Sequence, residues 1–235
     1  MNRTPELVLL PGMDGTGRLF DAFIAALDSS NRTRVIAYPR SGVSSYPELI
    51  AWVRERLPDR DFVLLGESFA GPIAVTLAAE RPERLTGLIL CSTFVRNPRP
   101  LARHLASLIG LMTVTPAMAR LASPALLGLR SDAGAREQFV QAVGELTPET
   151  LQGRLRSVLS VDASERLAQV DVPVLCLRAA RDVLVPSTAA DWIQRVLPGS
   201  RIVDVDGPHG LLQASPDACA RLVEAFLAGL PEVRS

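Results

Sequence analysis

Short runs of apolar, often β-branched residues alternate along this chain with longer stretches in which apolar positions recur every three or four residues. The short runs are Leu7–Leu10, Arg34–Ala37, Phe62–Leu65, Leu85–Cys91, Val172–Leu177 and Arg201–Val205. In them apolar residues fill neighbouring positions rather than every second one, the pattern of parallel strands buried on both faces. The longer stretches, roughly Leu19–Leu27, Pro47–Leu57, Phe69–Glu80, Thr188–Val196 and Leu211–Leu227, predict helices. Pro47 suits a first helical turn, and Pro82 follows a helix that ends near Arg81. Strands and helices in alternation predict an α/β fold: a mostly parallel, doubly wound sheet of about six strands joined by right-handed crossovers.

One stretch breaks the rhythm. From about Val95 to Ala163 the chain carries apolar helical pieces, separated by Pro98, Pro100, Pro116, Pro124, Gly134 and Pro148, and no strand pattern. It lies between two strands, so residues 95–163 read as a helical insertion, and residues 1–94 and 164–235 as the core that it interrupts.

The strongest chemical signal is Phe62-Val-Leu-Leu-Gly66-Glu67-Ser68-Phe69-Ala70-Gly71, a buried strand running through a glycine and a serine into a helix. For the hydroxyl to stand clear of the sheet, the turn must be tight. The residues two before and two after the serine must then be small, as Gly66 and Ala70 are. Serine needs a base to take its proton. His209, in Asp206-Gly-Pro-His209-Gly, follows the last strand on a glycine- and proline-rich loop, whereas His104 lies inside a helical pattern of the insertion and reads as part of a helix face. A carboxylate to orient the histidine comes from Arg181-Asp182, just past another strand. Asp204 and Asp206 are rivals, but they belong to or follow the histidine's own strand, too close in sequence to reach the ring's far nitrogen. After the first strand, Pro11-Gly-Met13-Asp-Gly15-Thr-Gly17 can turn a backbone N–H toward an acyl oxygen. The amides of Met13 and Phe69 are the candidate oxyanion donors. A phosphate cradle is the competing reading of this loop. The loop lacks G-x-x-x-x-G-K-S/T, and its G-x-x-G-x-G order is not the dinucleotide fingerprint.

Charge and cysteine content narrow the classes further. Twenty-five arginines balance 25 acidic residues, with no lysine, so nothing marks a nucleic-acid or anionic-lipid footprint. Cys91, Cys176 and Cys219 are odd in number, far apart and set in apolar runs, and so predict buried, reduced thiols. With two histidines and no ligand spacing, no metal is expected. The N-terminus lacks the pattern of a signal peptide and the longest apolar segment is too short for a membrane span, so a cytoplasmic location is the expectation.

Four motifs together, Pro11-Gly-Met13, Gly-Glu-Ser68-Phe-Ala-Gly, Asp182-x-x-x-Pro186 and Gly207-Pro-His209-Gly, resemble the α/β-hydrolase superfamily in content and order. The resemblance implies an α/β-hydrolase fold and a catalytic triad of Ser68, Asp182 and His209. It also implies an oxyanion hole from Met13 and Phe69, a helical cap over the site, and no cofactor. Proline stands before Gly12 where many members have histidine. The run Leu-Pro-Gly-Met-Asp-Gly-Thr-Gly is also similar to a branch of plant ester-forming acyltransferases. The expected substrate is a small-molecule ester of short-to-medium acyl chain. An acyltransferase or thioesterase using the same triad is the alternative, and a binding protein that has lost catalysis a third. Apolar positions Leu105, Leu108, Ile109, Leu111 and Met112 predict one broad apolar helix face in the cap.

Overall fold

A computed structural model describes residues 4–100, 116–128 and 133–231. His104 and the Leu105–Met112 face lie outside the described residues. Six strands form one parallel sheet: β1 (Glu6–Leu10), β2 (Thr33–Val35), β3 (Phe62–Glu67), β4 (Leu85–Cys91), β5 (Val174–Ala179) and β6 (Arg201–Val205), in the order β2-β1-β3-β4-β5-β6. The helices are α1 (Asp21–Ala26), α2 (Tyr46–Arg54), α3 (Gly71–Ala79), α4 (Pro116–Leu127), α5 (Ala133–Gly144), α6 (Pro148–Ser160), α7 (Ser164–Leu167), α8 (Thr188–Val196), α9 (Leu211–Ala214) and α10 (Pro216–Ala228).

Alternate residues of each central strand feed two cores. Val8, Leu10, Leu64, Leu88, Leu90, Val174 and Cys176 face one way, against Leu49 and Val53 of α2, Ile73 and Leu77 of α3, and Ile193 of α8. Leu7, Leu9, Val63, Leu65, Ile89, Leu175 and Leu177 face the other way, against Phe23 of α1 and Cys219, Val223 and Phe226 of α10. All three cysteines are buried and free, as their apolar settings predict. Ser45 and Glu48 close a capping box on α2, with Pro47 in its first turn.

The structure corrects several sequence expectations. Burial on both faces holds for β1, β3, β4 and β5 but not for the sheet's edges. Residues of β2 are only half-buried, and Arg201 and Asp204 of β6 are exposed, because an edge strand has a neighbour on one side only. The predicted helix Leu211–Leu227 is two helices. The chain leaves helical geometry at Ser215 (φ −136°, ψ 50°) because Pro216 clashes with a helical residue before it. Between Val95 and Ala163 the elements among the described residues are helices, as the sequence pattern predicts, with one isolated antiparallel bridge, Arg96 opposite Asp162, and Ala163 N–H donating to the Val95 carbonyl at 2.7 Å.

The strand order reverses between β1 and β3, with α1 on one face and α2 and α3 on the other. Such a switch point leaves a crevice at the carboxyl ends of the strands. The loop after β1 and the turn after β3 both open into it.

Candidate active site

The turn after β3 is as tight as its small residues predict. Ser68 has φ of +51°, a left-handed value rare for a residue with a side chain. A Cβ on Gly66 would lie 2.8 Å from Ala74 Cβ and 3.0 Å from the Ala70 carbonyl oxygen, so only glycine fits. At Gly71 it would lie 2.1 Å from Thr93 Oγ1 and 2.6 Å from the Phe94 carbonyl oxygen. That crowding has a use, since the Thr93 hydroxyl donates to the Ser68 carbonyl and ties the end of β4 to the turn.

Three side chains from three strand ends meet here. Ser68 Oγ is 2.7 Å from His209 Nε2, and His209 Nδ1 is 2.8 Å from Asp182 Oδ2. The other oxygen of Asp182 accepts the N–H groups of Leu184 and Val185, each at 2.9 Å, which fixes the carboxylate's direction. His209 is 3% exposed, and its loop is held from both sides. Arg181 N–H donates to the Gly207 carbonyl, and Gly210 N–H donates to the Leu126 carbonyl of α4 at 2.6 Å. The two distances suit a ring that donates an Nδ1 proton in a hydrogen bond to Asp182 and accepts at Nε2 from the serine hydroxyl. The rival acids point elsewhere: Asp204 pairs with Arg178 at 2.5 Å and exposed Asp206 with Arg181 at 3.2 Å.

The loop after β1 passes beside the serine, for a Cβ on Gly12 would lie 3.8 Å from Ser68 Cβ. Gly15 N–H closes a turn onto the Gly12 carbonyl at 3.1 Å, and Asp14 accepts from Thr16 N–H and Oγ1 at 2.9 and 2.7 Å. Phe69 is buried, its ring stacked on Tyr46 at 4.8 Å and its carbonyl bonded by the Tyr46 hydroxyl.

Two buried ionisable groups near this site, Glu67 and Arg154, escaped the sequence reading. Glu67, beside the serine, points away into the interior, where Gln213 Nε2 donates to it at 3.0 Å. Burial, reinforced by the charge of Asp14, raises its carboxyl from 4.5 to about 8. Arg154, on α6, is fully buried and donates to the Met13 carbonyl at 2.7 Å and the Pro39 carbonyl at 2.8 Å. Its one signal was positional: Leu151, Arg154, Leu155 and Val158 share a helical face on which it is the only polar member. Among the described residues no cluster of three His, Cys, Asp or Glu could hold a metal, and no helix is long and apolar enough to cross a membrane.

Comparison with known proteins agrees with this architecture. Residues 41–204 match the family described as serine aminopeptidase, S33. A pimeloyl-acyl-carrier-protein methyl ester esterase of Aromatoleum aromaticum is 30% identical over 97% of this chain and 100% of its own length. The protein of the same description from Nitrosomonas europaea is 29% identical over 85% of this chain and 86% of its own. Among solved structures, an enol-lactonase from Burkholderia xenovorans LB400 superposes with a TM-score of 0.84 at 18% identity, over 96% of this chain and 92% of the other.

Proposed function

Since this chain belongs to the serine aminopeptidase S33 family of the α/β-hydrolase superfamily, and is a hydrolase, we propose that it cleaves carboxylic esters through an acyl-enzyme on Ser68. One observation carries the reading, the continuous hydrogen-bonded line Ser68–His209–Asp182. In the proposed cycle His209 Nε2 takes the Ser68 proton as Oγ attacks the acyl carbon. The imidazolium then gives that proton to the departing alkoxide, which leaves as the alcohol. Water, deprotonated by the same nitrogen, attacks the ester on Ser68 and releases the carboxylic acid and the free serine. Asp182 keeps the Nδ1 proton in place and offsets the charge that His209 gains. The N–H groups of Met13 and Phe69 take the oxyanion, and every step runs on side chains and amides of the chain itself.

Residues 95–163 are read as a cap on the core formed by 1–94 and 164–235. Contacts of the inserted helices with both site loops support this, through Arg154 on the Met13 carbonyl and the Leu126 carbonyl under Gly210. An apolar underside to such a cap would favour acyl groups of short to medium length. The two relatives are named for a methyl ester, so a small alcohol is the first leaving group to try. The same acyl-enzyme would serve a thioesterase or an acyltransferase, and alternative substrates separate these readings.

The test is covalent labelling by a fluorophosphonate together with hydrolysis of p-nitrophenyl and methyl esters, with acyl-CoA thioesters alongside. Ser68→Ala is expected to abolish labelling and to lower kcat by about 10⁶ while leaving the melting transition in place. Labelling of Ser68→Ala at the wild-type rate would overturn the assignment.

A further inference from the structure

A buried cation with no acid in hydrogen-bonding contact is costly to keep, and Arg154 is one. Its side chain is the largest of the fully buried ones, and among the described residues no carboxylate forms an ion pair with it. Two carbonyls take Nη1 and Nη2, Nε has no partner, and the guanidinium lies 5.5 Å from the Tyr38 ring. Burial opposes its charge, with Tyr38 and Asp14 acting the other way. An apolar side chain of similar volume would fill this place without the desolvation penalty. The charge therefore calls for a use that packing does not provide.

We infer that Arg154 is a positioning residue for the oxyanion loop, reaching from the insertion to fix the turn that carries the Met13 N–H. The inference rests on the assignment of that amide above. The turn runs from Gly12 to Gly15 and is closed by Gly15 N–H on the Gly12 carbonyl. In any such turn the central peptide, here Met13–Asp14, takes no part in the closing bond and is the unit free to flip. Asp14 is not among the residues of positive φ, so the turn is of the type I kind, and a flip would turn over the Met13 carbonyl and the Asp14 N–H. The Met13 N–H lies in the preceding Gly12–Met13 peptide, held by the closing bond, and the clamp on the Met13 carbonyl acts on it by fixing the neighbouring plane and so the Met13 backbone angles between the two. Arg154 Nη1 holds that carbonyl at 2.7 Å, while Nη2 anchors the same guanidinium to the Pro39 carbonyl just past β2. With Tyr38 N–H on the Gly15 carbonyl at 2.8 Å, the Gly12, Met13 and Gly15 carbonyls are all engaged. Their negative ends are thereby tied, and a positive charge stands behind the loop that must face an anion. Loop and side chain are fitted to each other: a Cβ on Gly15, whose φ is +70°, would lie 2.5 Å from Arg154 Nη1.

This makes the inserted helix part of the catalytic apparatus rather than a passive cover, for an outward shift of α6 would withdraw the clamp and release the loop. The variants Arg154→Met and Arg154→Lys test it, with p-nitrophenyl butyrate as substrate and n-butylboronic acid as a tetrahedral-adduct probe. Losing an oxyanion donor outright costs ~10²–10³ in rate, so loosening one is expected to lower kcat by about 10- to 100-fold with KM changed less than about threefold. Affinity for the boronic acid is expected to fall in step with kcat/KM, while affinity for butyrate, which forms no tetrahedral adduct, stays level. A role confined to anchoring the insertion would instead move the melting temperature or KM and leave kcat and the boronic acid affinity alone, which overturns the inference. If Arg154→Met fails to fold, Arg154→Lys decides, because it keeps the charge but loses the planar fork that presents Nη1 and Nη2 to the Met13 and Pro39 carbonyls. Wild-type kcat in a folded Arg154→Lys overturns the inference. Fluorophosphonate labelling of the wild type at Ser68 is read in parallel. If it fails, the parent assignment falls; if it succeeds while the variants keep full kcat, only the role of Arg154 falls.

Discussion

Replacing Glu67 with glutamine is expected to change how the stability of this protein depends on pH, in a direction fixed by where the side chain lies. Glu67 ends β3 and is buried beside Ser68, its carboxyl raised from 4.5 to about 8 by burial first, with Asp14 adding to the rise. The unfolded chain releases this proton near pH 4.5, whereas the folded chain holds it to about pH 8. Between those values the folded state binds the extra proton, so stability falls as pH rises; below and above them the slope vanishes. At ~1.4 kcal/mol per pH unit the ceiling is about 5 kcal/mol, and a realised change of about 2–3 kcal/mol is expected because buried sites relax and admit water. Glutamine keeps an oxygen to accept from Gln213 Nε2 and carries no charge at any pH. The stability of Glu67→Gln minus that of the wild type should therefore climb from pH 5 to pH 8 and level off beyond. Urea unfolding of both proteins at unit pH steps measures it, and the subtraction cancels the shared groups that do not interact with Glu67. A difference that stays flat from pH 5 to 8, or declines, would refute a neutral, buried Glu67.

Three further outcomes are expected. Asp182→Asn should lower kcat by about 10⁴ with the fold retained, because an amide supports the wrong imidazole tautomer, while Asp206→Asn stays near wild type, its exposed carboxylate being paired with Arg181; steady-state kinetics on one ester compares them. Gly71→Ala forces a Cβ toward Thr93 Oγ1 and the Phe94 carbonyl and should cost about 1–3 kcal/mol, a fall of some ~2–4 °C in Tm per kcal/mol, whereas Gly144→Ala meets nothing within 4 Å and should leave Tm level or raise it. Across p-nitrophenyl esters, kcat/KM should rise from acetyl to hexanoyl by up to about fourfold per methylene, and a flat profile would remove the case for an apolar acyl pocket.

The parts of the site legible in the sequence are those whose physical demands fall on neighbouring residues. A turn that holds Ser68 at positive φ needs small residues at 66 and 70 and close packing at 71, and all three lie within six positions. Likewise His209 and Asp182 each follow a strand whose apolar run is plain, so the sheet itself carries them to one edge. Edge exposure of β2 and β6 was illegible for the opposite reason. Which strand is outermost depends on the spatial order β2-β1-β3-β4-β5-β6, and a run such as Arg201–Val205 does not announce how many neighbours it will have. The break at Ser215 was legible in principle, since Pro216 disfavours a helical residue before it. An apolar periodicity that continues through the proline masked it.

Glu67 and Arg154 stayed hidden because each finds its partners far along the chain, Glu67 at Gln213 and Arg154 at Met13 and Pro39. Local pattern assigns a lone charge in an apolar run to solvent, since that is where such charges nearly always go. An ionisable group retained inside must be matched by polar groups that no local window contains, and Glu67 and Arg154 find theirs close behind Ser68 and the loop after β1. The candidate site residues are thus written in contiguous motifs. Of the bonds that hold the motifs in place, Glu67–Gln213 and Arg154–Met13 join residues more than a hundred positions apart, and Arg154 comes from the stretch between Val95 and Ala163. Exchanging the insertion as a block should therefore disturb the rate as well as the substrate range, because the exchange removes Arg154 from the Met13 carbonyl together with any surface that meets the substrate.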